Sequence, residues 1–144
     1  EALLLRYLDR RDEEAATAFS ALNTDDLAEA VREIFEFHRK HYRAHPELVA
    51  LYYQSRGDGR ILDARDHRAR FAALVHSTLV ERGLLRTGTD PLVTSLAVEF
   101  GDRAIELAYR TNRDGDPAVL QEGILALVKY LSVYSGQPET DNSS

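Results

Sequence analysis

Three histidines, His38, His41 and His45, fall at i, i+3 and i+7, so they occupy neighbouring positions along one helix. Imidazoles so placed are potential ligands for zinc or nickel. Their surroundings argue against a cation. Arg39, Lys40 and Arg43 interleave with them, and Tyr42 and Val49 stand where a carboxylate at i+4 would join the set. A di-iron bundle needs Glu-x-x-His pairs. Here Glu33, Glu36 and Glu81 are followed three residues later by Glu36, Arg39 and Leu84. Ser77, Ser95 and Ser132 sit within helical periodicity, not in the strained turn that exposes a nucleophilic serine. The Arg56-Gly57-Asp58-Gly59 loop lacks the glycine spacing and lysine of a phosphate loop. Asp58, Asp63 and Asp66 have the wrong spacing for a calcium loop, and arginines intervene. No enzymatic constellation emerges, and neither a metal nor another cofactor is expected.

What remains is polar and aromatic. Phe35, His38 and Tyr42 share one helical stretch, Tyr52 and Tyr53 the next, and His67, Phe71, Leu74 and Thr78 the one after. Phe100 extends the set further along the chain. Apolar walls with a few hydrogen-bonding groups describe a small-molecule pocket. Tyrosine and histidine bring an aromatic body with a polar tip. Taken singly, each residue reads as core. Together, on consecutive inward faces, they point to a site for a small, largely apolar ligand, with His38 and His67 as its polar groups.

The elements that must position these residues are all helical. No stretch alternates as a strand would. Six helices are expected, over about 2–22, 26–44, 47–55, 61–82, 91–110 and 117–135. Leu4, Leu8, Ala15, Phe19 and Leu22 share a face of the first, and Leu27, Val31, Ile34 and Phe35 begin the buried face of the second. Asp26 and Glu29 have capping-box spacing, and Pro46 ends that helix. Gly83-Leu84 reads as a C-cap, and Asp90-Pro91 as a helix start. Residues 136–144 are polar and read as a disordered tail.

The last two helices are apolar on more than one side. In the sixth, Val119, Leu120, Ile124, Leu127, Val128, Leu131 and Tyr134 cover over half the circumference, and Leu125 and Val133 fill much of the rest. The fifth shows one broad apolar face from Leu92 to Ala108 and a narrow polar arc that includes Glu99, Asp102 and Glu106. A helix apolar all round is buried all round. Two such helices joined by a short turn form a hairpin, and two copies pack as an intermolecular four-helix bundle with twofold symmetry. The expected seam comprises Leu96, Leu107, Leu120, Ile124, Leu127, Leu131 and Tyr134.

The 144 residues suit one domain, 44% hydrophobic and 29% charged, with no cysteine. Disulfides and thiolate chemistry are therefore excluded. A net charge of −6 and arginines scattered among acids argue against direct DNA binding. No apolar run is long enough to span a membrane and no signal pattern opens the chain, so a cytoplasmic location is expected. The chain has no methionine and begins at Glu1 inside an apolar-periodic run, which reads as a fragment with its upstream part missing.

This pattern resembles the C-terminal regulatory domain of a TetR-type (tetracycline-repressor-like) transcriptional regulator. The resemblance is carried by Glu1-Ala2-Leu3-Leu4-Leu5-Arg6-Tyr7-Leu8, similar to the start of that family's connecting helix. It is also carried by a helix ending near His45-Pro46, a short helix, a long helix, and a final pair closing on Lys129-Tyr130-Leu131. It implies an all-α, effector-binding and homodimerising domain over 1–135, with 1–22 as connecting helix and 91–135 as dimerisation hairpin. It further implies a small-molecule effector held by the middle helices, and DNA contacted only through an absent N-terminal helix-turn-helix domain. The rival readings are a stand-alone helical carrier of a small molecule and a helical-bundle enzyme.

Overall fold

The computed structural model describes residues 2–55 and 62–136. These form six helices: α1 (Ala2–Ser20), α2 (Leu27–Ala44), α3 (Pro46–Ser55), α4 (Leu62–Glu81), α5 (Pro91–Thr111) and α6 (Pro117–Ser132). No strand occurs among the described residues, so the fold is all-α. The 56–59 loop and residues 137–144 of the tail lie outside the described residues.

The helix starts follow from local chemistry. Asp26, Asp90 and Asp116 each accept the backbone N–H two residues on, at 2.9–3.0 Å. Such caps contribute about 1 kcal/mol each. The expected capping box takes another form: Glu29 accepts from the Thr24 hydroxyl, which itself accepts from the Asp26 N–H. After α4, Gly83 turns the chain at φ +74°. Leu84 and Leu85 N–H then close on the Leu79 carbonyl, and both leucines are buried. That is the hydrophobic C-cap arrangement the sequence implies.

Packing follows the apolar stripes. α5 and α6 form a hairpin, α1 lies on α4, and α2 bridges to α6 and α5. The principal core joins Phe19, Phe35, Phe71, Val75, Leu79, Ile105, Leu127 and Leu131. A smaller cluster, Leu4, Tyr7 and Leu8, packs with Tyr42 and Leu48. The hairpin is tight at its centre, where a Cβ on Gly123 would lie 2.8 Å from that of Ala104.

The broad apolar face of α5 divides in two. Val93, Ala97, Ile105 and Ala108 are buried, whereas Leu92, Leu96, Phe100 and Leu107 are exposed. On α6, Leu125 and Val133 are exposed as well. Three residues of the expected seam sit elsewhere: Leu120, Leu127 and Leu131 are buried in the protomer's own core. The reason is rotational, since the arc of α6 that holds them is the one turned toward the rest of the chain. Ile124 and Tyr134 pack part-buried at the edge of that core. Leu96 and Leu107 are the seam residues that remain exposed.

Candidate functional site

Between α1, α2, α4, α5 and α6 lies a cavity of about 50 Å³. α2 lines it with Val31, Ile34, Phe35 and His38, and α4 with His67, Arg68, Phe71, Val75 and Leu79. α5 adds Thr94, Ala97, Val98 and Asp102 among others, α6 adds Leu127 and Leu131, and α1 adds Arg11. On α4 the spacing 67–71–75–79 places one lining residue on each turn, which is how one helix supplies a continuous wall.

The polar residues of the wall are held by a belt of contacts between helices. The Arg11 guanidinium contacts Nδ1 of His38 and lies over the Phe71 ring, 5.9 Å from its centroid. A guanidinium can only donate, so His38 Nδ1 accepts, and the imidazole is neutral with its proton on Nε2. Burial and then the Arg11 charge hold His38 well below the ordinary histidine pKa, which favours that state. His67 Nδ1 sits 2.9 Å from Asp12 Oδ1. Burial first and Arg11 second lower its pKa as well, with Asp12 pulling the other way. Arg70 reaches the same Asp12 at 3.4 Å. Arg68 pairs with Glu99 at 3.0 Å, and the Thr94 hydroxyl lies 2.8 Å from His76 Nδ1.

Of the ligand residues expected from sequence, Phe35, His38, His67 and Phe71 border the cavity. The others are placed differently. Tyr42 stacks on Tyr109 with ring centroids 3.9 Å apart, outside the wall. Leu74 and Thr78 lie one helical step off the lining stripe, and the Thr78 hydroxyl donates back to the Leu74 carbonyl at 2.8 Å. Phe100 is 54% exposed and packs edge-on against Tyr130; it faces outward because its arc of α5 turns away from the core. Tyr52 is on α3, but its side chain lies outside the described residues. Sequence reasoning missed Arg11, Arg68, Thr94 and Asp102, polar wall residues that lie in charged or mixed stretches.

The three-histidine row does not converge. His38 meets Arg11, His41 Nε2 lies 2.9 Å from Glu14, and His45 packs edge-on against Tyr7. His41 is buried between α1 and Phe37 and is also lowered in pKa, by burial and then Arg11. No group of three metal-ligating side chains occurs among the described residues. No described helix is long and apolar enough to cross a membrane.

The family model described as tetracyclin repressor-like, C-terminal domain matches residues 26–131. The match runs from the N-cap of α2 to the end of the core stripe of α6 and does not include α1. No curated protein and no solved structure matches the chain.

Proposed function

The chain belongs to the tetracyclin repressor-like C-terminal domain family, and from that premise we propose that it is the effector-binding and homodimerising domain of a TetR-like repressor. The observation that carries the effector reading is the cavity, apolar over most of its wall and edged by Arg11, His38 and His67. α1, α2, α4, α5 and α6 all contribute to that wall. A ligand inside it therefore touches the elements whose relative position defines the state of the domain. Binding shifts a population only if the ligand prefers one arrangement of those helices.

In this reading α1 is the connecting helix, and its displacement alters the spacing of two DNA-reading heads supplied by a separate helix-turn-helix domain. Two such heads engage half-sites about 34 Å apart. The homodimer seam in this reading is the exposed apolar strip of the α5–α6 hairpin, Leu92, Leu96, Phe100 and Leu107 beside Tyr130 and Val133.

A small-molecule screen by thermal shift tests the effector reading. A genuine effector raises Tm in the unmodified chain, loses that shift in Ala97→Val, which fills the cavity, and keeps it in Phe100→Ala, outside the wall. A ligand indifferent to Ala97→Val binds elsewhere and removes the support for this pocket.

A further inference from the structure

We propose that the cavity receives a small monocarboxylate, its short apolar body among the aliphatic side chains and its anionic head on Arg11; this deepens the effector reading above and rests on it. Arg11 is a buried cation in the wall, 8% exposed, and among the described residues it is what α1 contributes to the site. Guanidinium has five N–H donors, so a ligand carboxylate can join the protein partners that already hold it. Carboxylate, like phosphate, presents two oxygens that match the guanidinium fork, and it carries a single charge at pH 7.

Arg68 adds a second donor to the same wall. Its Nη1 binds Glu99, while its buried Nε finds no acceptor among the described residues. His38, fixed with Nδ1 toward Arg11, keeps a donor on Nε2. Against these donors the wall sets, among the described residues, one carboxylate, Asp102. Clustered donors of this kind favour a ligand with an acceptor head such as one carboxylate and disfavour a cation; with Glu99 already matching Arg68, a dianion meets too little positive charge. Size narrows the class further. About 50 Å³ is well below the roughly 150 Å³ that accommodates benzene, and butyrate is as bulky as benzene, so only the shortest acids approach the resting size and a four-carbon acid already requires the helices to part.

Calorimetric titration of the intact chain, at matched sodium chloride, tests this with sodium butyrate and sodium benzoate against butyramide, benzamide and n-butanol. Butyrate is expected to bind at least tenfold more tightly than butyramide. Arg11→Gln should bring butyrate down to the level of the amide, and Asp102→Asn should tighten it several-fold. Arg68→Gln, which leaves the α1 contacts intact, should weaken butyrate several-fold and serves where Arg11→Gln fails to fold. Neutral probes binding as well as the acids would overturn the carboxylate head and leave the effector pocket standing. Silence from every probe, acid and neutral, would overturn the assignment together with the pocket reading on which it rests.

Discussion

Asp12 meets two partners of α4 at once, His67 at 2.9 Å and Arg70 at 3.4 Å. With His38–Arg11 and His41–Glu14 it completes a polar belt that fastens α1 to α2 and α4. The belt has a pH signature. His38, His41 and His67 are all lowered in the folded chain, chiefly by burial, whereas unfolded imidazole titrates near 6.5. Below that value the unfolded chain holds more protons, so acid favours unfolding. Stability is complete above about pH 7 and falls as pH drops through about 6.5, by at most about 1.4 kcal/mol per pH unit for each histidine. The urea midpoint should thus be lower at pH 5.5 than at pH 7.5, and His38→Gln should flatten that difference. Equal midpoints for the unmodified chain would contradict the assignment of neutral, buried imidazoles. His38 and His67 were legible in the sequence because each sits on an apolar stripe. Arg11 was not: it lies in the charged run Arg10-Arg11-Asp12-Glu13, and periodicity assigns such a run to solvent. Only tertiary packing reveals that one member of it faces inward.

Helix identity and order were readable because caps, prolines and stripes agreed, and local agreement of this kind is what specifies a fold. Ends were less so. α6 stops at Ser132 and not 135, because the apolar run continues past the point where the backbone turns toward the Arg86 contacts at Val133 and Tyr134. The two helical glycines of the hairpin separate propensity from packing. At Gly101 an added Cβ meets the flexible tip of Leu127 at 3.1 Å; at Gly123 it meets the Ala104 Cβ at 2.8 Å. Alanine gains about 1 kcal/mol of helix propensity at either site. Gly101→Ala should therefore be neutral or raise Tm. Gly123→Ala should lower it, because overpacking against a rigid neighbour costs about 1–3 kcal/mol. Thermal unfolding of the pair decides this, and a higher Tm for Gly123→Ala would show that the helices part freely.

At the scale of the molecule, the two-sided character of α5 and α6 was legible, but which side the chain covers for itself was not. Hydrophobicity reports that a residue is buried somewhere, not against what. The distinction is testable by light scattering together with circular dichroism. Phe100→Glu, on the exposed strip, should yield a folded monomer with Tm little changed in the protomer. Leu127→Arg should unfold the chain, because it places an unpaired charge in the core. A folded dimer from Phe100→Glu would move the seam away from this strip. The contact of Gly123 with Ala104 bears on how such a protein would yield when filled. Two helices locked backbone to backbone behave as a stiff keel with little compliance. Volume forced into the cavity is then taken up on the opposite side, at α1, which meets the wall through the long side chain of Arg11 and not through close backbone approach. Strain is steered by the difference in stiffness between the two sides, and α1 becomes the arm on which it is read.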